Sequence, residues 1–330
     1  MQQRHLGASG LTVSRLALGT MTWGRDTDEH EARDQLEAYV EAGGTLLDTA
    51  DVYADGESER VLGRLLDDVV ARDDVVVATK AVSMPGTQRR FDASRGHVLA
   101  ALDASLRRLG VDHVDLWQLH AWDPDTDLSE TLSAADVAVS SGRARYVGVS
   151  NFCGWQTAQA ATWQRAVPGR APLVSTQVEY SLLQRGIERE VVPAAAALGL
   201  GILAWSPLGR GVLTGKYRTG TPADSRGASP HFTAFVQPYL TEQARGVVHA
   251  VVTAASGLGV SPLEVALAWV RDRPGVTAAV VGARTAAQLR GSLAAEPLEL
   301  PDEIRSALDE VSTPTLGYPE HGWNQQPRTR

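Results

Sequence analysis

Short apolar segments alternate with longer amphipathic segments along nearly the whole of this 330-residue chain. The short segments are rich in Val, Leu, Ile and Ala and lack a clean polar alternation, which is typical of strands buried on both faces. Parallel strands joined by helices form only a few architectures, so this alternation constrains the fold strongly. We predict eight such strands, at Leu16–Gly19, Leu46–Asp48, Val75–Lys80, Val114–His120, Tyr146–Ser150, Leu173–Glu179, Gly201–Trp205 and Ala278–Gly282.

The intervening segments carry helical signals. Ser94–Leu109 has apolar residues at helical spacing, with Ser94 as the predicted N-cap and a glycine directly after its end. We predict similar helices at Leu128–Ser141, Glu188–Leu198 and Thr285–Leu293. Ahead of the first strand, Arg4–Val13 is centred on Gly-Ala-Ser-Gly and predicts a β-hairpin.

Eight strand–helix units fit either a closed (β/α)8 TIM barrel or a doubly wound open sheet. No linker divides the chain, so we predict one barrel domain over residues 1–330. The segment 209–238 is rich in Gly, Ser, Thr and Pro and has no period. It follows the seventh strand, at the end of the barrel where active sites lie, so we expect a functional loop there. The tail, residues 314–330, is predicted to be irregular.

Composition excludes several classes of function. A net charge of −8 and a pI near 5.5 make a poor partner for nucleic acids or anionic membranes. The longest uncharged apolar segment, Val191–Trp205, is shorter than the ~20 residues of a membrane span. A single cysteine and an N-terminus without an apolar core predict a cytoplasmic protein. The histidines show no metal-ligand spacing, so no metal site is expected, and the oligomeric state stays open.

Polar side chains stand at the ends of three consecutive predicted strands. The second strand ends at Asp48 and is followed by Tyr53, the third ends at Lys80, and the fourth ends at His120. Each residue alone has an ordinary structural explanation, such as a cap, packing or solvation. Neighbouring parallel strands lie about 4.8 Å apart and end at the same rim, so these side chains can converge there.

The four groups make a coherent proton-transfer site. A free tyrosine has a pKa near 10, and a neighbouring ammonium lowers it. Asp48 would keep Lys80 charged, Lys80 would lower the pKa of Tyr53, and the His120 ring would orient a carbonyl oxygen. Such a site can protonate a carbonyl oxygen while a hydride reaches the carbon.

Five segments carry a family resemblance: Leu47–Tyr53, Ala78–Lys80, Asp115–His120, Gly148–Phe152 and Ala204–Gly209. With these motifs in this order, the chain resembles the aldo-keto reductases over essentially its whole length. The resemblance implies a TIM barrel that binds NADPH across its C-terminal rim. It also implies that Tyr53 donates the proton, that Lys80 and Asp48 tune it, and that His120 orients the carbonyl.

The resemblance further implies which residues bind NADP(H). These are Gly19, Thr20, Met21, Asp48, Ser150, Asn151, Gln177, Trp205, Ser206, Pro207, Leu208, Gly209, Lys216, Gly282, Arg284 and Gln288. Trp205 would stack on the nicotinamide, and Lys216 would lie along the pyrophosphate. Arg284, at the start of the last predicted helix, would pair with a 2′-phosphate and favour NADP over NAD. Gln288 stands where many relatives carry a second basic residue.

On the substrate side, Trp23, Tyr53, His120 and Trp122 would form an aromatic mouth for apolar carbonyl compounds. The expected partner is therefore a small-molecule carbonyl substrate.

Two other functions stay open. Potassium-channel β subunits resemble the same family, so the chain could be a cofactor-sensing subunit with negligible turnover, although all four catalytic side chains are present. Alternatively, Lys80 could form a Schiff base in a lyase. The neighbouring Asp48 counts against this reading, because it stabilises the ammonium form.

Overall fold

In a computed structural model of the protein, eight parallel strands close into a barrel. The structure describes residues 1–218, 220–222, 226–228, 233–315 and 317–318. The strands are β1 Gln3–His5, β2 Thr12–Ser14, β3 Leu16–Gly19, β4 Leu46–Asp48, β5 Val76–Ala81, β6 Val114–Leu119, β7 Ala144–Ser150, β8 Leu173–Glu179, β9 Gly201–Trp205 and β10 Val276–Gly282. The strands of the closed barrel follow the order β10-β3-β4-β5-β6-β7-β8-β9. The predicted (β/α)8 TIM barrel is therefore confirmed, and the open-sheet alternative is excluded.

Helices surround the barrel between successive strands. They are α1 Glu29–Glu41, α2 Glu57–Leu65, α3 Arg95–Leu109, α4 Leu128–Ser140, α5 Gly154–Arg165, α6 Val191–Ala197, α7 Thr233–Val236, α8 Glu242–Leu258, α9 Pro262–Arg271, α10 Ala286–Leu293 and α11 Asp302–Val311. Their inner faces pack on the strands and form the main hydrophobic core.

One predicted helix cap and one predicted helix start differ from the structure. Ser94 occupies the N-cap position of α3, but its side chain makes no capping hydrogen bond. The backbone N–H of Arg95 instead donates to Glu130 Oε1 at 3.0 Å, so a neighbouring helix supplies the acceptor. The helix predicted from Glu188 begins only at Val191, after a separate 3₁₀ turn over Gly186–Glu188.

The predicted hairpin closes the N-terminal end of the barrel. Strands β1 and β2 pair antiparallel, and Leu6 between them packs into the apolar layer inside the barrel. Gly7 has a φ of +61°, and a Cβ there would lie 2.4 Å from the carbonyl oxygen of Gly199. The hairpin therefore needs glycine to approach the barrel this closely.

The segment after β9 is less regular, as predicted, but it contains short helical turns. These are the 3₁₀ turns Val212–Thr214, Arg226–Ala228 and Gln237–Tyr239, together with α7. Residues 219, 223–225 and 229–232 of the predicted loop, and residues 316 and 319–330 of the predicted tail, lie outside the described residues.

No single helix in the described ranges has the length and apolar character needed to cross a bilayer. Helices α8 and α9 reach that length only when they are joined, and a bend of 103° separates them.

Candidate active site

A buried ion pair forms the floor of the site at the C-terminal end of the barrel. Lys80 Nζ lies 2.7 Å from Asp48 Oδ2 and donates to the carbonyl oxygen of Thr49 at 2.8 Å. The other carboxylate oxygen, Asp48 Oδ1, accepts from Gln177 Nε2 at 2.7 Å. The side chains of Lys80 and Asp48 are 0% and 3% exposed. Both charges are thus removed from water but fully partnered, which buried charges require.

Tyr53 lies directly above this pair, in a tight turn after β4. Its hydroxyl is 3.5 Å from Lys80 Nζ, and its ring centroid is 5.1 Å from the same nitrogen. The turn continues through Ala54 and Asp55, whose φ angles are +49° and +55°. This left-handed backbone is costly for alanine, so the surrounding structure must hold the turn in place.

The acidity of Tyr53 departs from the sequence-based expectation. Lys80 lowers the pKa of the phenol as predicted, but burial acts more strongly in the opposite direction. The resulting pKa lies above the ordinary value for tyrosine. In this state the phenol keeps its proton at neutral pH.

Lys80 remains an ammonium. Burial lowers the pKa of Lys80, but the charges of Asp48 and Tyr53, with the hydrogen bonds that Lys80 donates to both, outweigh that effect and raise it. A buried cation therefore faces the Tyr53 hydroxyl. It would stabilise the phenolate that proton donation leaves behind.

His120 completes the group. It follows β6 directly, and its backbone N–H donates to the carbonyl oxygen of Ala81 at 2.8 Å. Its ring stands at 81° to the Tyr53 ring, with centroids 6.0 Å apart. Burial, followed by the charge of Lys80, lowers the pKa of His120 to about 3, so the imidazole is neutral. Its buried Nδ1 finds no hydrogen-bond partner within the part of the chain that is described.

A cavity of about 570 Å³ opens above these groups. Most of the predicted site residues line it: Gly19, Met21, Asp48, Tyr53, His120, Ser150, Asn151, Gln177, Trp205, Ser206, Pro207, Leu208, Lys216, Gly282, Arg284 and Gln288. Sequence analysis missed other lining residues: Thr22, Arg210, Gly211, Thr214, Phe235, Leu263, Val280, Val281 and Ser292. Of these, Arg210, Gly211, Thr214 and Phe235 lie within the segment 209–238, which the sequence had already marked as functional. The rest carry no local signal.

Five predicted residues lie outside this lining: Lys80, which is buried beneath it against Asp48, and Thr20, Trp23, Trp122 and Gly209. Trp23 was predicted at the substrate mouth, but it is 0% exposed and its indole N–H donates to Gln35 Oε1 at 3.1 Å. It is a core residue, because its position in a turn packed under α1 removes it from the rim. Thr20 is also buried, and its hydroxyl contacts Ser58 Oγ at 2.7 Å.

The other two border the site without lining the cavity. Trp122 packs edge-on against Phe152 and Trp155, with ring centroids 5.3 Å away in each case. Gly209 has a φ of +54° and shapes the backbone after β9, where its N–H donates to the carbonyl oxygen of Ser206.

Opposite the Lys80–Asp48 pair, hydroxyl, amide and indole groups form a connected hydrogen-bond network. Ser150 Oγ donates to the backbone oxygen of Gln177 at 2.8 Å, and Asn151 Nδ2 donates to the backbone oxygen of His120 at 2.9 Å. The Trp205 indole N–H donates to Asn151 Oδ1 at 3.1 Å. Asn151 has a φ of +58°, a conformation that asparagine tolerates better than most residues.

Arg210 ties the segment after β9 to the barrel. Its guanidinium binds both carboxylate oxygens of Glu179, at 2.9 and 2.7 Å, and donates to the backbone oxygen of Phe235. The same guanidinium lies 3.8 Å from the centroid of the Phe235 ring. The Phe235 ring is stacked parallel to that of Trp205, with centroids 6.5 Å apart. Two aromatic faces are thereby placed along one side of the cavity.

The far end of the cavity differs from expectation. The start of α10 was predicted to offer free backbone N–H groups to an anion. Glu31 already accepts from the N–H of Ala286, and Gln288 Oε1 accepts from the N–H of Arg284 at 3.0 Å. The cationic side chains of Lys216 and Arg284, which line the cavity, are the groups here that can attract phosphate.

The lining fits an extended dinucleotide. Toward the floor lie the polar side chains of Ser150, Asn151 and Gln177, the Trp205 ring, and His120 Nδ1, which lacks a hydrogen-bond partner among the described residues. The cationic side chains of Lys216 and Arg284 lie toward the other end. A planar amide-bearing ring joined to phosphates has this order of chemistry. The described residues contain no group of three or more side chains suited to a metal ion.

Comparison with known proteins identifies the family. The model of the aldo/keto reductase family matches residues 15–313. This chain belongs to the aldo/keto reductase family. An uncharacterized oxidoreductase, YrpG of Bacillus subtilis, is 38% identical over 94% of this chain and 96% of its own length. The aldo-keto reductase YhdN of the same organism is 31% identical over 100% of this chain and 99% of its own length.

The relatives include proteins with a different role in their names. A probable voltage-gated potassium channel subunit beta from Oryza sativa is 36% identical over 96% of this chain and 100% of its own length. The protein is an oxidoreductase by family, and the family generally uses NAD(P)H. Whether this aldo/keto reductase converts a substrate or serves as a binding subunit depends on the residues of its own site.

Proposed function

We propose that this protein reduces aldehydes or ketones to alcohols with hydride from NADPH, and that Tyr53 is the proton donor. The observation that carries this proposal is the position of Lys80 Nζ. It lies 2.7 Å from the buried Asp48 carboxylate and 3.5 Å from the Tyr53 hydroxyl, at the floor of an open cavity.

The residues divide the work as follows. Tyr53 holds a proton on its hydroxyl, since its pKa is raised, and releases it when negative charge develops on the carbonyl oxygen. The Lys80 ammonium stabilises the resulting phenolate, and Asp48 keeps that ammonium charged and aimed. The neutral His120 ring can donate one hydrogen bond to the carbonyl oxygen and hold it near Tyr53. When bound, the dinucleotide supplies the hydride to the carbonyl carbon.

NADPH would lie along the cavity with its carboxamide toward Ser150, Asn151 and Gln177. Trp205 would pack against the nicotinamide ring. Lys216 would approach the pyrophosphate, and Arg284 would approach the 2′-phosphate. Because Arg284 offers a charge-assisted pair that NADH cannot use, we propose a preference for NADPH.

The lyase alternative finds no support in the site. Lys80 donates to a carboxylate and to a backbone oxygen, and its pKa is raised. A Schiff base needs the free amine, which this environment disfavours. The binding-subunit alternative rests on the channel-subunit relatives, and the assay below separates it from catalysis.

The decisive experiment combines binding with turnover. Fluorescence titrations with NADPH and NADH come first, followed by steady-state assays on a panel of aromatic and aliphatic carbonyls. Tyr53→Phe should bind NADPH as the wild type does and lose about 10²- to 10⁴-fold in turnover, the usual contribution of a general acid. Tyr146→Phe is the matched control, because Tyr146 lies on β7 beside Gly10 of the hairpin, far from the site.

Two outcomes would contradict the proposal. Normal turnover in Tyr53→Phe would remove Tyr53 from the mechanism. Tight NADPH binding with no turnover of any carbonyl in the wild type would favour the binding subunit.

We further propose that small carbonyl compounds are the partners and that the protein acts in the cytoplasm. An acidic net charge of −8 disfavours nucleic acids and anionic membranes, and a single cysteine suits a reducing compartment.

A further inference from the structure

A second carboxylate, that of Asp51, lies close to Tyr53, and the mechanism above does not use it. Asp51 stands two residues before Tyr53 in the same turn, and its backbone N–H donates to the carbonyl oxygen of Lys80 at 3.2 Å. This bond fixes Asp51 between the two catalytic residues. Its Oδ1 atom is buried and has no hydrogen-bond partner in the described ranges of the chain.

A buried ion pair faces Asp51 from the neighbouring helices. Glu59 on α2 is 0% exposed and accepts from Thr79 Oγ1 at 2.5 Å and from Arg108 Nε, on α3, at 2.7 Å. Thr79 directly precedes Lys80 on β5. The pair therefore places one negative and one positive charge at the back of the catalytic turn.

Four charged or titratable groups face Asp51: Glu59 from α2, Arg108 from α3, Lys80 from β5 and Tyr53 from its own turn. Burial, and then the Glu59 charge, raise the pKa of Asp51, while Arg108 and Lys80 act in the opposite direction. The net result is a pKa of about 7. Asp51 thus changes charge in the neutral range, whereas the pKa of its neighbour Lys80 is raised and that group stays charged.

We propose that Asp51 is a positioning residue whose charge sets how readily Tyr53 gives up its proton. An uncharged Asp51 leaves Lys80 free to stabilise the Tyr53 phenolate, which favours carbonyl reduction. A charged Asp51 adds a second negative charge beside the phenolate and opposes it. Reduction should therefore weaken as Asp51 ionises. This inference rests on the proposed role of Tyr53 as proton donor.

The first test observes Asp51 directly. The protein is labelled with ¹³C at the aspartate carboxyl carbon, and NMR spectra are recorded from pH 4 to 9. The signal missing in Asp51→Asn identifies Asp51, and Asp55→Asn, an exposed aspartate in the same turn, is the control. We expect an inflection near pH 7 that moves to lower pH in Glu59→Gln. An Asp51 signal that titrates near pH 4, the ordinary value for aspartate, would overturn the inference.

The second test reads the consequence for catalysis. In the wild type, kcat for reduction should fall about three- to tenfold across the Asp51 inflection, with KM little changed, as expected for one added charge near a general acid. Asp51→Asn should remove this step and Asp55→Asn should keep it. If Asp51→Asn fails to fold, Glu59→Gln provides the same test, because it should shift the kinetic step to lower pH.

The outcomes separate this inference from the proposed function. A wild type without any turnover overturns both. If Tyr53→Phe loses turnover but Asp51→Asn and Glu59→Gln both keep the pH step of the wild type, the role of Asp51 alone is overturned.

Discussion

The two sides of the cavity are built differently. One side, which we call the strand wall, consists of Asp48 on β4, Tyr53 in the turn after β4, Lys80 on β5 and His120 directly after β6. Its central ion pair, Lys80–Asp48, is buried and 2.7 Å long. The hydrogen bonds from Lys80 to Thr49 and from Gln177 to Asp48 are 2.8 and 2.7 Å long.

The other side, which we call the far rim, consists of Ser206, Arg210, Lys216 and Arg284 on the segments after β9 and β10. Ser206 and Arg210 have φ angles of +51° and +58°, and Arg210 pairs with Glu179 at the end of β8. Strands hold groups that must meet within hydrogen-bond distance, whereas loops hold groups that accommodate a ligand. We therefore expect substitutions on the wall to affect stability and chemistry together, and those on the far rim to affect binding.

The largest effect is expected at Lys80. Lys80→Met leaves the Asp48 carboxylate buried without its cation, which should lower the free energy of unfolding by about 3–5 kcal/mol and abolish measurable turnover. Urea unfolding and steady-state assays measure the two effects. The double variant Asp48→Asn/Lys80→Met is the control, since removing both charges should restore much of the stability and none of the turnover. An unchanged stability in Lys80→Met would break the comparison.

The next effect concerns the far rim. Arg284→Gln removes the cation offered to a 2′-phosphate, so the Kd for NADPH should rise about 10- to 50-fold while that for NADH stays the same. Fluorescence titration measures both constants. Arg290→Gln is the matched control, because Arg290 lies on α10, the helix that follows Arg284, with its side chain 59% exposed. Equal losses for NADH and NADPH would assign Arg284 a structural role instead.

A smaller effect concerns pH and the wall. Burial lowers the pKa of folded His120 to about 3, whereas an unfolded histidine titrates near 6.5. The unfolded state therefore takes up a proton as the pH falls below 6.5, and stability from neutral His120 is lost in that direction. Between pH 7 and 5 this should cost about 1–2 kcal/mol.

Asp51 contributes a slope of the opposite sign, because its pKa is raised, so the test compares variants rather than the wild type alone. His120→Asn should lose the 1–2 kcal/mol pH-dependent contribution in urea unfolding at pH 5, 6 and 7, which is about the linkage expected for one histidine. The exposed His30→Asn should retain it. If the free energy of unfolding changes with pH to the same extent in the wild type, His120→Asn and His30→Asn, then His120 is charged in the folded state or exposed to solvent.

The smallest effect is expected at Arg210. Arg210→Lys keeps the charge beside Glu179 but loses the two-pronged geometry, so NADPH affinity should fall a few-fold and stability by less than about 1 kcal/mol. Thermal unfolding and NADPH titration measure this. A loss of stability as large as that of Lys80→Met would mean that the far rim is as integral to the fold as the wall.

The sequence alone determined the barrel and the residues that stand on the strand wall. Buried parallel strands produce an uninterrupted apolar pattern, so β3, β4, β8 and β9 were predicted with the bounds that the structure has. Asp48, Lys80 and His120 were predictable for the same reason, because a residue at the end of a parallel strand must lie at the C-terminal rim.

Only the tertiary structure decided the rest. Trp23 has the composition of a mouth residue, but packing under α1 buries it, and no local pattern encodes that packing. The pairing of Arg210 with Glu179 and Phe235, and the use of the α10 N–H groups by Glu31, join residues far apart in the chain. The raised pKa values of Tyr53 and Asp51 also depend on burial, which arises only when the helices close over the turn. Periodicity reports the local backbone, whereas solvation and charge depend on neighbours that the fold alone brings together.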